Sequence, residues 1–122
     1  MQLTILGAGS SAGTPAIGCQ CDTCTSDNPR NKRTRCSSII TLDSGENILI
    51  DTGPDLRLQA LREGITHVDA VLYTHTHADH IHGIDDLRAF CQINRQQIPL
   101  YTYKEAVTHI KDKFGCTLRE PC

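Results

Sequence analysis

Thr74-His75-Thr76-His77-Ala78-Asp79-His80-Ile81-His82-Gly83 is the stretch on which the reading of this chain turns. Four of the six histidines fall within it, directly after Ala70–Thr74, a short apolar run that reads as a strand, wholly buried if its sheet is covered on both sides. In extended backbone His75 and His77 project to the same side and can grip one metal ion. Asp79 and His80 lie past a turn and can face a second. Neutral imidazole suits zinc, manganese or iron, and a neighbouring carboxylate adds a hard anionic oxygen. Two such ions about 3.5–4 Å apart can clamp the oxygens of an in-line phosphoryl or acyl displacement. The plainer alternative is a polar loop whose histidines only hydrogen-bond. Four histidines and an aspartate in this register, following a strand, weigh against it.

Outward from this stretch, strands and helices alternate, so the expected class is mixed α/β (α+β) without internal repeats. Gln2–Leu6 reads as a first strand, ended by the small-residue run Gly7–Gly13. Cys36–Leu42 and Asn47–Ile50 read as a hairpin around Asp43-Ser44-Gly45-Glu46. Pro54 suits a first helical turn, Leu56, Leu58, Leu61 and Ile65 follow that helix, and Gly64 closes it. Beyond the histidines a helix is expected from Asp85 or Asp86 to about Gln92, then a strand Ile98–Thr102. A last helix, Lys104–Phe114, carries Ala106, Val107, Ile110 and Phe114 on one face, with Gly115 as its stop.

The chain has 122 residues, 39% hydrophobic and 21% charged, with a net charge of -2. That composition is ordinary for a soluble domain and gives no electrostatic pull toward nucleic acid or membrane. No signal peptide or membrane-length apolar run is visible, so a cytoplasmic protein is expected.

Seven cysteines is a high and odd count, and Cys19, Cys21 and Cys24 fall within six residues. With no export signal, that clustering suggests a metal site rather than a disulfide framework. Thiolates so spaced can hold a tetrahedral zinc. A structural zinc would order the loop at 14–35, which has no apolar periodicity, with a fourth ligand from elsewhere. Arg30, Lys32, Arg33 and Arg35 could greet a phosphate but are read as a solvated charge run. Cys36 and Cys91 are read as packing residues, and His67 and His109 as surface residues. Cys116 and Cys122 receive no role.

The string His75-x-His77-x-Asp79-His80 followed by Gly83 resembles the signature of the metallo-β-lactamase superfamily, and Asp51-Thr52-Gly53 resembles its earlier aspartate-glycine element. The resemblance implies the amino-terminal half of an αββα sandwich. It also implies a site in which His75 and His77 bind one metal while Asp79 and His80 bind the other. Asp79 would in addition orient the bridging hydroxide as the catalytic residue, Asp51 would support the ligands from behind, and His82 would be a neighbour. The Gly-rich turn, the Cys19-x-Cys21-x-x-Cys24 loop and Cys36-Ser37-Ser38 are similar to the phosphoribosyl cyclic phosphodiesterases of the carbon–phosphorus lyase pathway, within the ribonuclease Z-like branch. That similarity implies a small cyclic phosphodiester substrate, a zinc or manganese pair and a structural zinc.

The family pattern draws a third histidine, a bridging aspartate and a last histidine from a second half of the fold. Neither His109 nor Asp112, both expected mid-helix, supplies them. Residues 1–122 are therefore expected to form a partial domain, a truncated and inactive form of the hydrolase with one sheet face uncovered. The alternatives are a non-catalytic zinc-binding module and a half-domain that pairs with a second copy as a homodimer.

Overall fold

The computed structural model describes residues 1–119; Cys122 lies outside the described residues. Five strands form one sheet in sequence order: β1 (Gln2–Gly7), β2 (Ser37–Thr41), β3 (Asn47–Ile50), β4 (Ala70–Leu72) and β5 (Leu100–Tyr101). The first two pairings are antiparallel and the last two parallel. Each parallel pairing requires a crossover, as tight hairpins join only antiparallel strands. Helix α1 (Leu56–Glu63) makes the crossover from β3 to β4. The short α2 (Ala78–Ile81) and α3 (Leu87–Asn94) make that from β4 to β5, and α4 (Lys104–Arg119) follows.

The pleat sorts side chains between the two faces of the sheet. Ile39, Leu49 and Val71 sit side by side across β2, β3 and β4, all buried. Leu56 of α1, Ile81 of α2, Leu87 and Phe90 of α3, and Ile110 of α4 join them in the core. On the opposite face Leu3 pairs with Ile40 and Ile40 with Ile48, while Ile50 pairs with Leu72 and Leu72 with Tyr101. That face is apolar and uncovered: Leu3 is 58% exposed, Ile5 54%, Leu72 39% and Tyr101 56%. The strand before the histidines is thus covered on one side only, and it ends at Leu72 rather than Thr74.

Several local expectations change. Leu58 and Leu61 follow α1 but face solvent, and the helix buries Leu56 and Gln59 instead. Gly64 does close it, in the left-handed conformation that glycine adopts freely. Helix α4 runs past Gly115 to Arg119, with the break at Phe114, whose backbone is non-helical. Cys91 is buried, but Cys36 is exposed, because it precedes β2 and has no place on its core face. His109 is half-buried with its Nε2 enclosed and unpaired, so it is not a surface residue. His67 bonds the Asn47 side chain and lies near Gly45 O, tying the hairpin turn to the approach to β4.

Two glycines bring the segments flanking the site into contact. A side chain on Gly53 would lie 2.4 Å from Asp79 O, and one on Gly83 would lie 2.0 Å from Gly53 O. The same segments exchange backbone hydrogen bonds, Thr52 N–H to His80 O at 2.7 Å and Gly83 N–H to Thr52 O at 2.8 Å. Asp51-Thr52-Gly53 and the histidine segment therefore lie backbone on backbone.

Replacing Gly83 by alanine should cost about 3 kcal/mol, since the obstacle is main chain rather than a side chain that can swing away. Gly64→Ala meets open space and only a left-handed φ of 65, so about 1–2 kcal/mol is expected. Equal losses in denaturant melts would contradict the packing described. In the sheet, Leu49→Ala should cost about 2–5 kcal/mol. Ile48→Thr, on the uncovered face, should cost less than about 1 kcal/mol.

Candidate metal centre

Loops at the carboxyl ends of neighbouring parallel strands converge on one edge of a sheet. Here β3 ends at Ile50 and β4 at Leu72, paired in register, so Asp51 and Tyr73-Thr74 leave the sheet side by side. The Asp51 N–H donates to Leu72 O at 2.9 Å and continues the ladder by one residue. Asp51 then adopts φ 60, an unusual value for a residue with a side chain. That turn puts a carboxylate only 2% exposed under the histidine segment.

A buried carboxylate is tolerated when its lone pairs are satisfied. Asp51 Oδ1 accepts the Thr74 backbone N–H at 2.8 Å. Its Oδ2 accepts the Thr74 hydroxyl at 2.6 Å and His80 Nδ1 at 2.7 Å. Because an ionised carboxylate only accepts, His80 carries its proton on Nδ1. Its Nε2 lies 3.4 Å from Asp79 Oδ2. Below the pair, the Thr52 hydroxyl and Tyr73 phenol are 2.8 Å apart, and burial pushes the Tyr73 pKa well up. Tyr73 thus stays neutral and can serve as a hydrogen-bond donor.

His77 precedes α2 in extended conformation, and Asp79 and His80 lie in its single turn. The His75 ring lies 4.5 Å from that of His77 and 4.0 Å from that of His80, centre to centre. The structure thus gathers His75, His77, Asp79 and His80 on the floor set by Asp51. Imidazole nitrogens and a carboxylate are a fitting donor set for zinc or manganese. His82 points elsewhere, edge-on to Phe114 at 5.7 Å.

The cysteine loop closes on itself. Cys19, Cys21 and Cys24 place their sulfurs within 4.8 Å of one another, the tightest three-donor group among the described residues. The histidine cluster is looser and meets in pairs. Cys19 and Cys21 sulfurs are 3.4 Å apart, and Ala16 N–H points to Cys24 Sγ at 3.4 Å. The Cys24 backbone N–H, followed by the Cys19 and Cys24 thiols, draws the Cys21 pKa down to about 7. The loop is fastened at its base by paired backbone bonds between Thr14 and Arg33 at 2.7 and 2.8 Å. Within the basic run, Arg35 is not free. It grips Asp55 through Nε at 2.9 Å and Nη2 at 2.8 Å, which holds the Asp55 carboxyl below its usual range. Arg30, Lys32 and Arg33 are exposed or nearly so.

Sequence reading missed two contributors. Thr74 precedes the first histidine, and its signal is positional: a hydroxyl two residues after β4, beside an aspartate directly after β3. Gln59 was hidden in a helix of leucines. It is 1% exposed and donates to Thr34 Oγ1 at 3.0 Å and Arg35 O at 2.8 Å.

Residues 46–121 match the Beta-lactamase superfamily domain. An octanoyltransferase of Porphyromonas gingivalis is 42% identical over 120 residues, 98% of this chain and 24% of that protein. Among solved structures, a diphosphatase of the PhnP family superposes with a TM-score of 0.88 at 45% identity, over 97% of this chain and 47% of its own. Zinc-bound PqqB of Methylobacterium extorquens superposes at 0.65 with 23% identity, over 85% of this chain and half of its own, which speaks to the fold alone. The chain thus spans half or less of each of these proteins. No helix among the described residues is long and apolar enough to cross a membrane. With its sheet, its helices on one face and these matches, the chain belongs to the β-lactamase superfamily and forms part of a metallo-β-lactamase sandwich.

Proposed function

We propose that this chain is the metal-binding part of a two-metal phosphodiester hydrolase acting on a small cyclic phosphodiester. The observation that carries the proposal is the hydrogen bond from His80 Nδ1 to buried Asp51, which leaves Nε2 free beside the Asp79 carboxylate. Metal-binding histidines characteristically donate their other ring N–H to a carboxylate. His75 and His77 would hold one zinc or manganese, Asp79 and His80 the other. Bound there, the ion pair supplies Lewis acidity and a water acidic enough to act near neutral pH. The chain's own residues do the rest. Asp51 keeps His80 in one tautomer and one orientation, and Asp79 would orient the attacking water.

The kinship with a PhnP-family diphosphatase supports phosphorus as the centre attacked, and it also supports a second reading in which the substrate is a diphosphate. The octanoyltransferase is matched over a quarter of its length, too small a share to bring acyl transfer to this chain. Cys19, Cys21 and Cys24 would hold a structural zinc that fixes the loop at 14–35. Four protein groups are fewer than two ions require, so these residues by themselves should bind the catalytic pair weakly and turn substrate over slowly. The uncovered apolar face supports an alternative in which two copies associate.

Asp51→Asn should lower zinc affinity at the histidine cluster by about 10–100-fold while the sheet persists by circular dichroism. Unchanged affinity would sink the proposal. Slow hydrolysis of a ribose cyclic phosphate should exceed that of diphosphate in the same preparations, and the reverse order would favour the diphosphate reading.

A further inference from the structure

We infer that Thr74 is a positioning residue that fixes the tautomer of His75 and so presents its Nε2 to a metal. The Thr74 hydroxyl lies between two groups, 2.6 Å from Asp51 Oδ2 and 3.0 Å from His75 Nδ1. A hydroxyl has one proton to give and two lone pairs to receive with. Asp51 can only accept, and the contact with its carboxylate is the shorter and charge-assisted one, so the hydroxyl proton goes there. The Thr74 oxygen is then left as an acceptor, and His75 Nδ1 must be the protonated nitrogen. His80 reaches the same state directly through Asp51. One buried carboxylate therefore sets both rings, His80 by contact and His75 through a threonine.

The Thr74 backbone N–H also bonds Asp51, which holds the residue in place whatever its side chain. This makes the hydroxyl separable from the fold. Thr74→Val keeps the β-branched shape and the main-chain bond while deleting the relay. Thr74→Ser keeps the relay.

The inference rests on the proposed metal reading only for its consequence, not for the tautomer itself. The test is long-range proton–nitrogen NMR of nitrogen-15-labelled, metal-free protein, with the pH raised until the ring nitrogen shifts of His75 and His80 stop changing. In the wild type both His75 and His80 should be protonated on Nδ1. In Thr74→Val, His75 should move toward the Nε2-protonated form that free imidazole side chains favour, His80 should stay unchanged, and Thr74→Ser should restore His75. Zinc affinity at the cluster should fall about tenfold in the valine variant and recover in the serine variant. A His75 tautomer indifferent to Thr74→Val would overturn the inference, as would zinc affinity unchanged by a shifted tautomer. If the wild type bound no zinc through its histidines, the metal reading would fail, and the tautomer shift would still decide the role of Thr74.

Discussion

Asp51 is the constraint on which the rest of the site depends. Burying a carboxylate is costly unless its oxygens are satisfied, and at 2% exposure Asp51 has the Thr74 backbone, the Thr74 hydroxyl and His80 to satisfy it. These partners all come from the segment after β4, so the carboxylate and the histidine segment must dock together. The glycines at 53 and 83 let the two backbones approach closely enough for that to happen. The left-handed turn at Asp51, which costs on the order of 1–2 kcal/mol, is offset by the same bonds. Removing the carboxylate would release the turn, the docking and the orientation of His80 at once.

The uncovered sheet face has the opposite character. Leu3, Ile5, Leu72 and Tyr101 are large and apolar, and each leaves a substantial part of its surface exposed there. Contiguous exposed apolar surface of this kind marks a face built to meet another. The PhnP-family diphosphatase, of which this chain covers 47%, has more than half of its own chain beyond the matched region. The site edge and the uncovered face belong to the same strands, β3 and β4, so the face adjoins the candidate metal centre.

Much of this was legible in the residues. Turn chemistry places the hairpin, short alternating or apolar runs mark the strands, and Gly64 marks the end of α1. The spacing of His75, His77, Asp79 and His80, an extended run followed by one helical turn, brings these side chains together in pairs. Solvent-facing leucines in α1 were not legible: periodicity shows that a stripe exists, not that a partner covers it. The burial of Gln59 and the exposure of Cys36 escaped for a related reason, since both depend on where the loop at 14–35 returns to the sheet. Thr74 is hard to single out from the residues alone because the carboxylate it bonds lies 23 positions away. That proximity is a product of parallel pairing between β3 and β4, which sequence spacing does not reveal.

Whether the histidines hold metal is decided by zinc bound per chain at equilibrium, measured by elemental analysis after dialysis against micromolar zinc, on wild type beside a His75→Ala, His77→Ala variant. The variant is expected to lose metal held by the wild type and to keep one zinc on Cys19, Cys21 and Cys24. A variant holding as much zinc as the wild type would mean that the histidine cluster is not a metal centre.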